Sequence, residues 1–308
     1  MSVWNTPLRM LSRAIPSILA QTLREFEFLI LDDGSDSVTT HDCLREFAAR
    51  DTRIRLSFEP RLGLTATLNR GLEMARGELI ARQDADDWSD PRRLEAQSDY
   101  LASHPEIGLV GSAAWTHQDD ETALWVVRMP ASQAEILDAF WTRNPFVHGS
   151  VMFRSPAARA VRGYRVELRA AQDYDLFWRL AESAGAANLE EPLYHYRYSA
   201  ESVSASRAAE QTRAMRAARL LAEMRRRGEP EEVDAALRAA TLGCVGEEGF
   251  RASLKQADHV MLAGRYNQAA REYLRLAHSH PASLTAWGKL ARLALFSVAP
   301  PARRFCFR

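Results

Sequence analysis

Hydrophobic positions in the N-terminal part of the chain switch repeatedly between a helical and an extended period. Leu8, Leu11, Ile15, Ile18 and Leu19 recur on one helical face, with Pro16 as a candidate kink inside the pattern. Phe26-Glu27-Phe28-Leu29-Ile30-Leu31 is the first convincing strand, and it ends in the turn Asp32-Asp33-Gly34-Ser35. A helix around Leu44, Phe47 and Ala48 comes next, then a strand over 54–58. A helix over 63–75 follows, for which Gly77 is the expected C-terminal cap, and then a short strand over 78–81. This alternation is the signature of βα units in a parallel sheet. Beyond it the pattern predicts a helix over 94–101, a buried strand over 107–111 and a hairpin turning at Asp119-Asp120-Glu121-Thr122. It then predicts a strand over 145–153, a helix over 171–184 and an extended aromatic segment over 193–198.

Composition shifts near Ala205, after which Ala, Arg, Glu and Leu dominate and nearly everything reads as helix. This divides the chain into an α/β domain over 1–205 and an all-helical region over 206–308. Helices over 253–263 and 267–278 are joined by Gly264-Arg265-Tyr266, and a third covers 284–296. Gly264, Tyr266, Ala269, Ala270 and Pro281 are similar to a tetratricopeptide unit; one unit is not an array, and an ordinary helical bundle fits as well.

The stretch around which the rest is organised is Gln83-Asp84-Ala85-Asp86-Asp87-Trp88. It follows the 78–81 strand and precedes Asp90-Pro91, a helix-start signal with Asp90 as N-cap. The C-terminal edge of strands is where open α/β sheets bind ligands. Carboxylates crowded there repel unless a cation lies among them, and oxygen-only ligands suit Mg²⁺ or Mn²⁺. The alternative for this stretch alone is a polar loop with an Asp cap.

The 308 residues are 46% hydrophobic and 26% charged with a formal net charge of zero, so no overall field favours nucleic acid or an acidic membrane. Cys43, Cys244 and Cys306 lie far apart and fit no zinc or disulfide pattern, which points to a reducing compartment. Asn5, Pro7 and Arg9 interrupt any signal-peptide h-region, and no apolar run is long enough to cross a bilayer. A cytoplasmic location is expected. The basic, aromatic end Arg303-Arg304-Phe305-Cys306-Phe307-Arg308 reads as a frayed tail or as a contact with the inner membrane face or a protein.

Taken together, the motifs resemble the family 2 glycosyltransferases. The match runs from Ser2-Val3-Trp4-Asn5 and Ser17-Ile18-Leu19-Ala20-Gln21-Thr22 through Leu31-Asp32-Asp33-Gly34-Ser35 to Gly63-Leu64-Thr65 and Leu68-Asn69-Arg70-Gly71-Leu72. It continues in Gln83-Asp84-Ala85-Asp86-Asp87, Pro91, Arg93-Leu94, Gln97 and Val110-Gly111. It closes with His148-Gly149-Ser150-Val151-Met152, Gln172-Asp173-Tyr174-Asp175-Leu176 and Tyr196-Arg197. The resemblance implies a GT-A fold, a Rossmann-like mixed sheet flanked by helices, over roughly 1–205, and an all-helical C-terminal region outside it.

It also implies an inverting glycosyltransferase of hexosyltransferase type. The enzyme would move a sugar from a nucleotide-diphosphate donor, a UDP-sugar, to a hydroxyl of a glycan, lipid-linked or other acceptor in polysaccharide biosynthesis. By position, Asn5, Asp33 and Asp84 match donor-binding residues, with Asp33 at the uracil or ribose; Asp86 matches the residue on the divalent metal, Mn²⁺ or Mg²⁺. Asp173 matches the catalytic base; read from the residues alone, it complements a helix dipole equally well. His148 reads either as an acceptor-side residue or as a hydrogen-bonded structural histidine, and Arg197 as a phosphate ligand or, preferably, a structural ion pair.

Three positions depart from the family pattern. The opening strand is reduced to Ser2-Val3-Trp4 and looks truncated; Gln172 stands where Glu is common; Ser199 stands where many relatives carry a histidine. These departures leave a second reading of a different class, a catalytically impaired scaffold or binding protein.

Overall fold

A computed structural model describes residues 1–199, 207–242, 247–281 and 283–298. The expected boundary at 205/206, Cys244, Cys306 and the basic aromatic tail lie outside the described residues. The chain forms two compact units, Met1–Trp115 with Val126–Tyr196, and Thr116–Trp125 with Arg197–Arg308.

In the first unit, β1 (Ser2–Val3), β2 (Phe28–Asp33) and β3 (Ile54–Glu59) form a parallel sheet in the order β1-β2-β3. Ser2 lies opposite Leu31, and Asp33 opposite Glu59. A second sheet has the order β4-β8-β6-β9-β5, built from β4 (Leu79–Ala81), β5 (Trp88–Ser89), β6 (Leu109–His117), β8 (Met152–Arg154) and β9 (Ala186–Arg197). Its β7 (Ala123–Val127) pairs with β6. A parallel bridge from Ser2 to Asp84 joins the two sheets at the acidic turn. The sheet is therefore mixed, parallel at one side and antiparallel where β8 meets β4 and β6.

Helix α1 (Leu8–Leu19) buries Met10, Leu11, Ala14, Ile15 and Ile18 and runs through Pro16. Leu11, Ile15 and Ile18 join Val3, Phe28, Ile30, Leu44 and Ile54 in one core. Each such side chain contributes roughly 1.5–3 kcal/mol on full burial. Helix α2 (Val38–Arg50) is capped by the Ser37 hydroxyl, which accepts from the Thr40 N–H. Helix α3 (Leu64–Met74) starts on Gly63, whose φ of 89° favours glycine. Between β2 and β4 lies an apolar cavity of ≈ 400 Å³ whose lining includes Leu29, Leu31, Leu68, Leu79 and Ile80.

Several local expectations need correction. Gly77 does not cap α3: the helix ends on Ala75 in extended conformation, and Gly77 leads into β4, where a Cβ would come 3.0 Å from the Leu79 carbonyl oxygen. Asp90 is not an N-cap. Its side chain accepts from the Arg92 N–H, forming a turn before α4 (Arg93–Ser103) begins. The stretch 145–153 is not one strand, because His148–Ser150 form a 3₁₀ turn before β8. Helix α5 (Gln133–Ala139) was not expected, although Ser132 and Glu135 make the capping box that announces it. Helices α6 (Ser155–Ala160) and α7 (Gln172–Ala184) complete this unit's helices among the described residues.

In the second unit, α8 (Ala208–Arg226), α9 (Val233–Leu242), α10 (Glu247–Leu262), α11 (Tyr266–Ser279) and α12 (Leu284–Val298) follow one another. The last three share a core of Leu254, Ala257, Val260, Tyr273, Leu276 and Leu293 among others. Gly264, at φ 83°, turns the chain between α10 and α11. Asp258 ties them to α12 by accepting from Tyr273 and from Lys289 at 2.6 Å. No described helix is long and apolar enough to cross a membrane.

Candidate active site

The acidic turn sits on a buried polar platform. Arg93 is fully buried and donates to the Ser89 hydroxyl (2.8 Å), Gln83 Oε1 (3.2 Å), the Gly149 carbonyl (3.0 Å) and the Arg82 carbonyl. Burial pushes its guanidinium pKa down to about 10. Gln83 donates to the carbonyls of Asp84 and Asp87, and Gln97 donates to Ser150 at 2.7 Å. Buried polar groups of this kind must be satisfied, and here they fix the backbone of the turn from Gln83 to Asp87.

On that turn Asp84 meets side chains from three other places in the chain. Arg82 donates to its Oδ1 at 2.7 Å. His148 Nδ1 lies 3.5 Å from its Oδ2, while His148 Nε2 accepts from Arg82 at 3.3 Å, which leaves the ring proton on Nδ1. The Asp84 N–H donates to the Tyr194 hydroxyl at 3.2 Å. Burial pushes the Asp84 carboxyl up, but His148, Arg82 and Arg93 outweigh it and hold the group below the usual carboxylate range. The repulsion expected from the acidic sequence is thus met at Asp84 by the Arg82 and Arg93 guanidinium groups, with the His148 ring facing its Oδ2. Asp86 is half-buried and Asp87 buried.

No group of three or more His, Cys, Asp or Glu side chains among the described residues is arranged to hold a metal ion alone. A carboxylate such as Asp86 fits a hard ion whose remaining ligands are phosphate oxygens, the usual arrangement for Mg²⁺.

At the end of β2, Asp33 is buried and accepts from the N–H groups of Leu62 (2.7 Å) and Gly63 (3.1 Å) and from Arg61. The Arg61 guanidinium also lies 3.8 Å over the ring of Trp4, which is 49% exposed. Arg61 is not singled out by the sequence, where Trp4 reads only as part of the opening strand and the family match; an exposed aromatic linked through Arg61 to a buried carboxylate is visible only in three dimensions. Asn5 adopts φ 47°, its N–H donates to Ser35 and its Oδ1 accepts from the Asp36 N–H at 2.9 Å. It fastens β1 to the loop that follows Asp33.

Asp173 lies in the first turn of α7, half-buried, and accepts from Asn144 Nδ2 at 2.8 Å. Its neighbour Asp175 is fully engaged by Arg165 (2.8 Å) and Arg179 (2.6 Å). Arg179 also donates to the carbonyls of Val161 and Gly163, and Asn69 bonds both backbone groups of Tyr164. The turn carrying Tyr164 is thereby held against α3 and α7. Burial raises the Tyr164 hydroxyl pKa, Arg82 lowers it, and Asp173 and Asp84 raise it further. In the second unit, Arg197 is buried and pairs with Glu121 at 3.9 Å, the structural pair expected.

The model of glycosyl transferase family 2 matches residues 1–164. The chain is 35% identical over 201 residues to EpsE of Bacillus subtilis (strain 168), covering 64% of this chain and 71% of that protein. It is 31% identical over 198 residues to the amylovoran biosynthesis glycosyltransferase AmsE of Erwinia amylovora, covering 64% and 74%. It is 26% identical over 192 residues to an Escherichia coli UDP-Gal:alpha-D-GlcNAc-diphosphoundecaprenol beta-1,3-galactosyltransferase, covering 62% and 70%. Among solved structures, S. aureus TarS 1–349 in complex with UDP superposes with a TM-score of 0.53 at 16% identity, covering 100% of this chain and 92% of that one. The mannosyltransferase PcManGT of Pyrobaculum calidifontis, in complex with GDP-Man and Mn²⁺, gives 0.53 at 17%, covering 97% and 79%. These likenesses support the GT-A fold. The chain belongs to glycosyl transferase family 2 and is a glycosyltransferase.

Proposed function

We propose that the chain is an inverting, metal-assisted transferase that moves a sugar from a UDP-sugar to a hydroxyl acceptor in polysaccharide biosynthesis. One observation carries the reading. His148, whose Nδ1 lies 3.5 Å from Asp84 on the acidic turn, has its ring 6.1 Å from that of Phe177 on α7, the helix whose first turn carries Asp173, and, after burial itself, both carboxylates raise the pKa of the buried Tyr164 hydroxyl. In this reading a donor held at Asp84 and Asp86 presents its anomeric carbon to Asp173. The relatives agree with the chemistry: one acts in amylovoran biosynthesis and another on a lipid-diphosphate acceptor with UDP-Gal. A lipid-linked or other glycan acceptor, a cytoplasmic location and no nucleic-acid partner belong to the same reading, as do a catalytic domain over 1–205 and a separate helical region.

In this mechanism Asp33, with Trp4 beside it, takes the base, and Asn5 keeps that loop in place. Asp84, oriented by Arg82 and His148, takes the ribose. Asp86 would hold a Mn²⁺ or Mg²⁺ ion shared with the diphosphate, and the ion would act as a Lewis acid on the leaving group. Asp173 accepts the proton of the acceptor hydroxyl as its oxygen attacks the anomeric carbon from the side opposite the diphosphate. Attack opposite the leaving group inverts the configuration.

Asp173→Asn tests the assignment. It should leave UDP affinity unchanged, measured by calorimetry, and cut transfer by roughly 10²–10⁴. Near-normal turnover would reduce Asp173 to a charge favourable at a helix start.

A further inference from the structure

We propose that Asn144 is a positioning residue for the transfer step, holding Asp173 Oδ2 so that Oδ1 is the oxygen that takes the acceptor proton. This rests on the reading of Asp173 as the base. The Asn144 Nδ2 donates to Asp173 Oδ2 at 2.8 Å, and its Oδ1 accepts from the Phe146 N–H at 3.1 Å. The second bond fixes which way the amide points, because an N–H can bond only the carbonyl end. Asn144 thus presents its NH₂ group to Asp173 and cannot exchange ends without losing the Phe146 contact.

The segment that carries Asn144 is held by other groups on both sides. The Phe140 ring stacks on Trp178 at 5.1 Å, and the Tyr174 hydroxyl donates to the Phe140 carbonyl. On the far side Asn188 donates to the Pro145 carbonyl at 3.1 Å, and the Phe146 ring meets Phe177 edge-on at 5.7 Å. Three of these anchors, Tyr174, Phe177 and Trp178, lie on the helix that bears Asp173. The amide and the carboxylate are therefore mounted on one rigid assembly. Asn144 is not what ties the segment down, so its loss should register in the chemistry before it registers in the fold. A base turned away from its acceptor loses near-attack geometry, and a 1 Å misplacement costs on the order of 10²-fold.

The test uses Asn144→Ala and Asn144→Asp in the full chain at about pH 8, where an added carboxyl is ionised. Asn144→Asp keeps an acceptor for the Phe146 N–H but replaces the donor with a carboxyl that repels Asp173, so Asn144→Ala carries the comparison and its urea midpoint guards against loss of folding. Rates are read as nucleoside diphosphate release from UDP-glucose, UDP-galactose, UDP-N-acetylglucosamine and GDP-mannose, on the donor that the unaltered enzyme consumes fastest. Both variants should lower kcat by about 10- to 100-fold, with donor KM and UDP affinity within about twofold. Adding Asn144→Ala to Asp173→Asn should lower the residual rate by less than about twofold, since the amide acts only through that carboxylate. A kcat within about twofold of the unaltered enzyme overturns the proposal, as does an equal further loss in the Asp173→Asn background. If Asp173→Asn itself turns over normally, the base assignment fails and this proposal with it. If Asp173→Asn is slow and the Asn144 variants are fast, only the role of Asn144 fails.

Discussion

Gly149 leaves the acidic turn no spare room. A Cβ there would lie 1.8 Å from the Tyr194 hydroxyl and 2.9 Å from Asp84 Oδ2. The hydroxyl cannot simply move away, because its oxygen accepts from the Asp84 N–H and Tyr194 lies within β9. Burial, with the charges of Asp87 and Asp84, keeps that phenol protonated well beyond its ordinary range. Gly149→Ala should therefore cost about 1–3 kcal/mol of stability, as overpacking does, and weaken UDP binding together with it. Urea unfolding and a UDP titration on the same variant check this; wild-type values in both would show that the turn is softer than its contacts imply. Asp84 and Asp86 stand out as candidates in the sequence because they follow a strand at the edge where ligands bind, whereas Asp173 is a candidate only through the family resemblance, its place at a helix start being equally that of a dipole charge. Arg82, Tyr194, Asn144 and the two-sided role of His148 do not stand out. Tyr194, His148 and Asn144 meet Asp84 and Asp173 from positions distant in the chain, and Arg82, two residues from Asp84, is turned onto it by a bend that no local period or spacing encodes.

At the scale of elements, α1, β2, β3 and α3 were readable because burial on one face imposes a period, and the structure places them within a few residues of the expected bounds. The misreadings share a cause. Gly77 and Asp90 carry cap chemistry, but each serves a turn leading into the next element, and the apolar run over 145–153 breaks at Gly149 because the chain must approach Tyr194. Propensity lost to tertiary packing in each case. Gly71 offers a test of packing around β2. It lies inside α3 and lines the apolar cavity, and a Cβ would meet Leu31 Cδ1 at an ordinary 3.6 Å. Gly71→Ala should raise stability by about 0.5–1 kcal/mol, because alanine loses less entropy in a helix. A higher urea midpoint with an unchanged slope is the expected result. A lower midpoint would mean that the α3–β2 contact is tighter than the cavity suggests.

At the scale of the whole molecule, the account requires Asp33, Asp84, Asp86 and Asp173, drawn from three separate strand and helix ends, to meet at one site, the first three on the donor and Asp173 on the acceptor. The metal is the part of this most exposed to test, since the described residues hold no self-sufficient ion site and Asp84 is already balanced by Arg82 and His148. An ion bound here must be shared with the diphosphate, so donor and metal should bind together. Asp86→Asn should remove the metal dependence of UDP affinity while leaving the weaker metal-free affinity in place; full retention of a manganese effect would move the ion elsewhere. The most direct measurement is a calorimetric titration of UDP into the intact chain with and without Mn²⁺. The account predicts micromolar binding with the metal and markedly weaker binding without it. Equal affinity in its absence, or no binding in either condition, would contradict it.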